Sequence, residues 1–589
     1  MKKKSSHRAG PRIPLEVDGV QVNFCKKPAC NNFGIPASTQ KQPRGPGASS
    51  CSRDQYRLSR GSRNKVTQIN CQCCGEVLPV KSNQGIVEEF RRISRYLEPK
   101  DEVSCPDGSC SNHSVGISSG KSVYQSFGKT KSGSHRYRCK SCGKSFSVGK
   151  STNRQKQPHK NKIIFKLLMN KSPLKRICEV ADVHMETIYG KIDFLHRQCL
   201  AFAADRERRL LDGKHIRRLY VSVDRQEYVV NWSRREDKRN ITLAAIGSAD
   251  NATGYVFGMH LNYDPSLIAD QIEADAIAIG DASLQFAYRK HARLWLQDDY
   301  EKSRQANIKR SVGAGGLNGS IELTYEVAIN RDDVEASESL DNSRKLPARG
   351  MQVHSEYTMY GHFYHLSRLF GGVEKIRLFL DQDSGIRAAC LSAFQSKVAE
   401  RSCDAFYVRT NKSMTVDEKR HALGDSRREF RQMQKAFPNL SESEVKLLLI
   451  KERMQSMAEI GRWRDRWLLH PFPNMSEPEK AVCYMTDFGD YDDDHLAWLY
   501  NKASMHGIDR FFMQVRRRIS LLERPIKTAS KTGRTWHGYS PYNPAIIIKL
   551  LDIFRVYYNY CLAGQDKQTP AMRIGLAKGK VEEEDIIYY

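Results

Sequence analysis

The chain has 589 residues, is 40% hydrophobic and 28% charged, and carries a net charge of +28. That length is too great for one hydrophobic core and predicts three or more domains. No apolar run reaches the ~18 residues of a membrane span, and the basic start MKKKSSHRAGPRIP has no apolar stretch behind it, which argues against a secretory signal. The charge is uneven: residues 1–200 hold 37 Lys and Arg against 14 Asp and Glu, a surplus of 23, and the rest of the chain carries about +5. A basic arm on a nearly neutral body is the footprint of a polyanion binder, because Lys and Arg displace condensed counterions from phosphates.

Ten of the 16 Cys precede residue 150, and eight of these form two quartets. The first is Cys25-x4-Cys30 with Cys71-x2-Cys74, and the second is Cys105-x4-Cys110 with Cys139-x2-Cys142. Each opens with C-x4-C and an Asn, passes a Tyr or Phe and a basic Gly/Ser-rich hairpin stretch, and closes with C-x2-C-G. This is an internal repeat. Four thiolates on two tight turns suit tetrahedral Zn²⁺, which supplies folding energy to a segment with little core. With no secretory signal, a reducing compartment and metal ligation are expected rather than disulfides. Cys51 and Cys73 are spare, and His113 is a possible replacement ligand in the second site. Together the quartets announce a metal-stapled nucleic-acid-binding arm. Residues 31–65 read as a long loop inside the first unit, and Gln84–Tyr96 as a helix joining the two.

After a basic linker, Gly149–Lys160, three helices are predicted. Asn161–Asn170 is the first, and Ser172-Pro173 caps and opens the second, Leu174–Ala181. The turn Asp182-Val183-His184 leads to the third, Met185–His196. The spacing is that of a helix-turn-helix whose last helix enters the major groove, with Glu186, Thr187, Tyr189 and Lys191 as groove-facing candidates.

The pattern then changes to strands. Leu219–Asp224, Glu227–Trp232, Asn240–Gly247 and Gly254–Leu261 predict an antiparallel meander. An insertion, 265–350, is helical first and then polar around Ala314–Arg349. Glu356–Leu369 is a helix, Lys375–Asp381 a strand, Gly385–Glu400 a helix and Ala405–Val408 a short strand. Strands one to three, helix, strand four, helix, strand five is the order of a ribonuclease-H-like mixed sheet. A helix-rich second insertion follows over 415–500, with Trp463, Trp467 and the acidic run Asp490–Asp494. The two Trp are candidates for stacking on a flipped base, although their i, i+4 spacing favours a helical core. Met505–Leu522 is a basic amphipathic helix and Asn543–Tyr560 a long helix in the tail. The expected boundaries are 1–98 and 99–150 for the two zinc units, 151–212 for the helix-turn-helix, and 213–264 and 351–412 for the two parts of the core. Insertions of 265–350 and 413–500 separate these from 501–530, the core's final helix, and 531–589 is the tail.

Asp224 ends the predicted first strand and Asp381 the fourth. In a ribonuclease-H-like sheet those strands are neighbours, so the two carboxylates meet, and a third from a later helix completes a site for Mg²⁺ or Mn²⁺. Two such ions clamp the attacking and leaving oxygens of an in-line phosphoryl displacement. Asp509 is the expected third ligand, with Asp383 and Glu523 as rivals. Arg510, Arg516, Arg517 and Arg518 on the same helix are expected to hold DNA phosphate.

At this point the chain resembles the DDE transposases of bacterial insertion sequences. The resemblance runs from RYRCKSCGKSFSV through the helix-turn-helix to FLDQDSG at Asp381, DRFFMQVRRRIS at Asp509 and the tail FRVYYNYCLAGQDKQTPAMRIGLAKG. It places the family's first and second catalytic aspartates on Asp224 and Asp381. The third position, normally Glu, falls on Asp509, one methylene shorter, and both gaps between carboxylates are long. The resemblance implies nicking at transposon ends and attack of the freed 3′-OH on target DNA. It also implies recognition of double-stranded terminal inverted repeats by the arm, a dimer or higher homo-oligomer, and a bacterial cytoplasmic, nucleoid-associated location. The alternative is a non-cutting derivative that remains a sequence-specific DNA-binding protein.

Overall fold

The computed structural model describes residues 10–40, 54–60, 66–98, 103–117, 122–130, 134–149, 155–231, 240–300, 319, 321–322, 347, 349–461, 464–523, 526–527, 535–536 and 543–589. Cys51, Trp232, Trp463 and most of the polar tract Ala314–Arg349 lie outside these residues. The chain forms two compact units: one of 1–93, 210–517 and 521–551, the other of 94–209, 518–520 and 552–589. The segment expected as a separate first zinc unit therefore belongs to the same body as the large sheet. Among the described residues no helix is long and apolar enough to cross a membrane.

Two small three-stranded antiparallel sheets repeat one another. The first is β1 (Tyr56–Arg60), β2 (Thr67–Cys71) and β3 (Val77–Pro79); the second is β4 (Tyr124–Lys129), β5 (His135–Cys139) and β6 (Ser145–Val148). Helix α1 (Asn83–Ser94) follows the first. In the second unit come α2 (Asn161–Leu168), α3 (Leu174–Ala181) and α4 (Met185–Leu211). The predicted second helix has the observed bounds, but its N-cap is Pro173, not Ser172. The third is 27 residues long, well past His196, because Ile192, Leu195, Cys199, Phe202 and Ala203 continue a buried stripe at helical spacing. The C-terminal EEEDIIYY is ordered into this unit: Ile586 and Ile587 are fully buried, and the Tyr589 ring meets Phe202 at 5.4 Å.

The first unit is mixed α/β around an eight-stranded sheet. Its strands are β7 (Ile216–Asn231), β8 (Asn240–Asp250), β9 (Val256–Leu261), β12 (Val373–Asp381), β13 (Cys403–Thr410), β14 (Ala458–Ile460), β15 (Asp465–Leu469) and β16 (Lys480–Tyr484). The two-residue strands β10 (Tyr263–Asp264) and β11 (Met351–Gln352) pair separately. The order is β14-β15-β16-β13-β12-β7-β8-β9. β7, β8 and β9 form the predicted antiparallel meander. β12 runs parallel to both β7 and β13. Its run Ile376–Leu380 is buried throughout, as a strand covered on both faces requires.

Helices α5 (Ala269–Ile279), α6 (Ser355–Leu369), α7 (Ser384–Ala393), α8 (Val416–Ala436), α9 (Glu442–Gln455), α10 (Asp493–Lys502), α11 (His506–Arg518) and α12 (Pro544–Tyr560) complete the main elements. Three expectations need correction. The segments Leu219–Asp224 and Glu227–Trp232 are one strand, because β7 keeps its pairing with β8 from Val221 to Asn231. Gly385–Glu400 is two helices parted at Phe394. The second insertion is only half helical: its later part adds the antiparallel strands β14–β16 to the sheet. Trp467 therefore sits on a strand, 2% exposed and stacked on Tyr407 at 6.0 Å, and serves the core rather than a flipped base.

Candidate active site and metal centres

Asp224 lies inside β7, not at its end, yet it marks the end of something. The parallel ladder between β12 and β7 closes at Leu380 opposite Val223. Asp224 and Asp381 are the next residue on each strand, so they emerge side by side where the ladder stops. α11 lies across this sheet face. Ile508 N donates to Ser222 Oγ at 3.0 Å, and Gly507 N to Asn251 Oδ1 at 3.0 Å. Ser222 and Asp224 are two apart on a strand and share a face, which brings Asp509 to the carboxylates. The approach is close enough to need glycine on both sides. A Cβ at Gly507 would sit 2.5 Å from Asn251 Oδ1, and one at Gly247 would sit 2.8 Å from Ile508 Cδ1.

The three carboxylates feel one another. Burial, then the charge of Asp381, pushes the Asp224 carboxyl up to about 7. Burial also raises Asp509, to about 6; Lys412 opposes the shift, while Glu477 and Asp381 add to it. Lys412 was not anticipated. Its ammonium is 3.8 Å from Asp224 Oδ2 on a side chain that is 69% exposed, and the negative charge of Asp224 raises its pKa. The carboxylate oxygens are not drawn together as metal ligands: among the described residues, the groups with all ligand atoms within 4.8 Å are the two Cys quartets and Glu582-Glu583-Glu584.

The rivals to Asp509 have other positions. Asp383 caps α7, its Oδ1 accepting from Gly385 N at 2.7 Å and Ile386 N at 3.2 Å, and its Oδ2 pairs with Arg225 Nη2 at 2.7 Å. Glu523 is exposed beyond α11. Glu477, also missed, is buried beside α11 and accepts from Met505 N and Ser504 Oγ, each at 2.7 Å.

The basic residues divide. Arg510 and Arg517 are exposed and Arg516 is half-buried. Arg518 is engaged in the second unit, where Nη1 donates to Asn170 Oδ1 at 3.0 Å. On α4, Glu186 and Tyr189 are exposed and Thr187 is half-buried. Lys191 cannot face a groove. It is 2% exposed, and its ammonium donates to the carbonyls of Lys156 and Gln157, satisfying linker groups that burial would otherwise strand.

The quartets hold their spacing in three dimensions. In the first, Cys25–Cys74 and Cys30–Cys71 sulfurs are 3.4 and 3.7 Å apart. In the second, Cys105–Cys142 and Cys110–Cys139 are 3.3 and 3.7 Å apart. Tetrahedral Zn–S bonds of ~2.3 Å put sulfurs roughly 3.8 Å apart, so both donor sets fit structural zinc sites. The supporting contacts repeat as well. Asn32 Nδ2 donates to Cys71 Sγ and Asn112 Nδ2 to Cys139 Sγ, each at 3.3 Å. Tyr56 OH accepts from Cys25 N at 2.9 Å, and Tyr124 OH from Cys105 N at 3.0 Å. Burial pushes the Cys71 thiol up, but hydrogen bonds from Asn32 and backbone amides outweigh it and leave about 7. At Cys139 the Cys142 amide and Asn112 bring the value to about 6. His113 is not among the four residues whose ligand atoms cluster in the second quartet, and its Nδ1 lies 2.7 Å from Cys105 O. Cys73 is exposed.

No protein-family model matches the chain, and no curated protein matches it.

Proposed function

We propose that the chain is a DNA transposase that binds the terminal inverted repeats of a mobile element. In this reading it cuts by two-metal-ion chemistry and joins the freed 3′-OH to target DNA. The observation that carries the reading is the emergence of Asp224 and Asp381 side by side on adjacent parallel strands, with Asp509 presented from the helix that crosses the same face. The meander β7-β8-β9 followed by parallel β12 and β13 is the strand order of a ribonuclease-H-like core. Hard carboxylate oxygens at its centre suit Mg²⁺ or Mn²⁺. Asp224, Asp381 and Asp509 would hold those ions, which supply an activated water and stabilise the leaving oxygen. The chain's own residues set the geometry: Ser222 and Asn251 anchor α11, and Arg225 with Asp383 fixes the turn beside Asp381. Arg510 and Arg517 offer phosphate contacts from the same helix. Zn²⁺ in the quartets, and α4 presenting Glu186, Thr187 and Tyr189 to the major groove, complete the assignment. A homo-oligomer is part of it, because two DNA ends must be paired.

A second reading is a DNA-binding protein of this kind that no longer cuts. It is favoured by the separation of the three carboxylates and by the Lys412 ammonium against Asp224. One assay separates the two: Mn²⁺- or Mg²⁺-dependent nicking of duplex DNA carrying the element's own ends. The transposase reading expects cleavage that Asp224→Ala, Asp381→Ala and Asp509→Ala each abolish while end binding survives. A wild-type protein that binds ends and never cuts establishes the second reading.

A further inference from the structure

Among the positions at which the two repeats differ, one leads to the carboxylates. Two residues beyond the last Cys of each quartet stands Glu76 in the first and Lys144 in the second. Both hold the knuckle in the same way: Cys71 N donates to Glu76 O at 2.8 Å, and Cys139 N to Lys144 O at 2.9 Å. Their side chains then part. Lys144 closes locally on Asp107 at 2.9 Å with its side chain 57% exposed. Glu76 is 2% exposed and turns inward.

There its Oε2 accepts from Lys26 N at 2.5 Å and lies 3.2 Å from Cys25 Sγ, while Oε1 accepts from Arg387 Nη1 at 2.6 Å. Arg387 Nη2 donates in turn to Lys26 O at 3.0 Å. Arg387 thus grips both turns of the quartet, the C-x4-C turn through Lys26 and the knuckle through Glu76. It stands on α7, one helical turn from the cap Asp383, whose carbonyl accepts its amide at 3.0 Å. Asp383 N donates to Asp381 O at 2.8 Å, and its carboxylate pairs with Arg225, the residue after Asp224. Cys25, Glu76, Arg387, Asp383 and Arg225 make one continuous polar path from the quartet to Asp224 and Asp381.

We propose that the metal of the first Cys quartet positions the carboxylate site through the Glu76–Arg387 ion pair. Glu76 and Arg387 are positioning residues. Glu76 is tied to the C-x4-C turn by the Lys26 amide and to α7 by Arg387. With the quartet closed, the carboxylate and the guanidinium have one geometry, and α7 is held at its first turn. Among the described residues the second quartet shows no such link: Lys144 turns to Asp107.

The site's metal binding rests on the function proposed above, so the test carries a readout that does not. In the full-length protein, amide hydrogen exchange at Gly385 and Ile386 reports the α7 cap, and Mn²⁺ titration by electron paramagnetic resonance reports the carboxylates. Cys71→Ser, Glu76→Gln and Arg387→Met are each expected to speed exchange at the cap at least about tenfold and to weaken Mn²⁺ binding about tenfold, the cost typical of a lost outer partner of a metal ligand. The double variant Glu76→Gln/Arg387→Met should do no more than either single one, since the two act as a unit. Cys139→Ser should change neither readout. Arg387 is no zinc ligand, so Arg387→Met keeps both zinc ions and tests the path without unfolding the quartet. Unchanged cap exchange in Arg387→Met, with zinc content intact, overturns the proposal. If the wild type binds no Mn²⁺, the proposed function fails at its metal step, and cap exchange alone decides the brace.

Discussion

The two Cys quartets have the same ligands, the same Asn donor and the same buried Tyr, yet they sit in different surroundings. The first is sunk in a cluster that includes Ile13, Ala37, Tyr56, Ile69 and Val80, with Ala287 from the insertion. Its flank is pinned by charge as well. Arg293 reaches Glu88 and Glu89, each at 3.1 Å, and Asp264 at 2.9 Å, while Thr358 Oγ1 donates to Glu89 at 3.0 Å. Among the described residues, the second has a buried cluster of Cys105, Tyr124 and Cys139, with Cys110, Ile117, Val123, Tyr137 and Phe146 partly covered around it. Its Phe127 is 45% exposed, with the Arg136 and Arg138 guanidinium groups over the ring. One ligand set therefore serves two tasks. Where the surroundings supply a core, a bound metal would refine a geometry; where they do not, it would be the core.

The strongest way to break this comparison is to remove zinc. Structural zinc contributes on the order of 10–16 kcal/mol in units that have no other core. Chelation should unfold residues 103–148, seen as loss of amide protection across β4–β6, while β1–β3 and α1 keep part of theirs. Equal loss in both segments would show that the first unit also depends on its metal for folding.

Next in size is the buried ion pair. Arg387→Met leaves Glu76 buried among sulfurs without its cation, and breaking a buried pair on one side costs about 3–5 kcal/mol. Thermal unfolding of the first unit should fall accordingly. Lys144→Met, at the matching place in the repeat, removes an exposed, solvent-screened pair and should shift thermal unfolding far less. A similar loss from both would mean that the two positions are equivalent after all.

Acidity separates the carboxylate site from the quartets. Asp224 at about 7 and Asp509 at about 6 are both raised above the usual carboxylate value. A raised carboxyl pKa means that the folded state holds its proton more tightly than the unfolded chain does. This contribution to stability is full below the ordinary pKa near ~4 and is lost as pH rises through 6 and 7. A divalent ion must displace those protons, so its effect has the opposite sign. Mn²⁺ affinity should rise by about two to three powers of ten between pH 5 and pH 8 and then level off. The quartets, with Cys71 at about 7 and Cys139 at about 6, each begin with one readily ionised thiol. Titrating both metals across that window, with Asp224→Asn as reference, checks the assignment: the rise in Mn²⁺ affinity should flatten in the variant and zinc content should not move.

What could be read from the sequence was local or periodic. The C-x4-C and C-x2-C turns are set within a few residues, so the quartets were legible. The adjacency of Asp224 and Asp381 followed from the order of apolar runs and helices, because that order leaves few ways to build a sheet. What escaped depended on distant partners. Arg387 meets Glu76 from 311 residues away, and no spacing rule connects them. Lys191 has helical spacing that suits a groove, but its ammonium answers linker carbonyls instead. The strands β14–β16 were hidden because short runs such as Asp465–Leu469 become strands only by joining an edge already present.

The finest test uses the repeat's own symmetry. Asn32 and Asn112 each donate to a Cys Sγ at 3.3 Å, and neither is a ligand. Removing a donor that orients a metal ligand typically lowers metal affinity about 10–100-fold. Asn32→Ala and Asn112→Ala should weaken zinc by similar factors, because the chemistry removed is the same. Their structural consequences should differ. In the second unit, lost zinc affinity should become loss of fold, with β4–β6 exchanging freely at zinc levels that the wild type tolerates. In the first, the packed cluster should hold β1–β3, and the loss should surface at the α7 cap. Zinc titration followed by amide exchange in both variants measures the two effects together. Matching exchange patterns would mean that burial around the first quartet adds nothing the metal does not already supply.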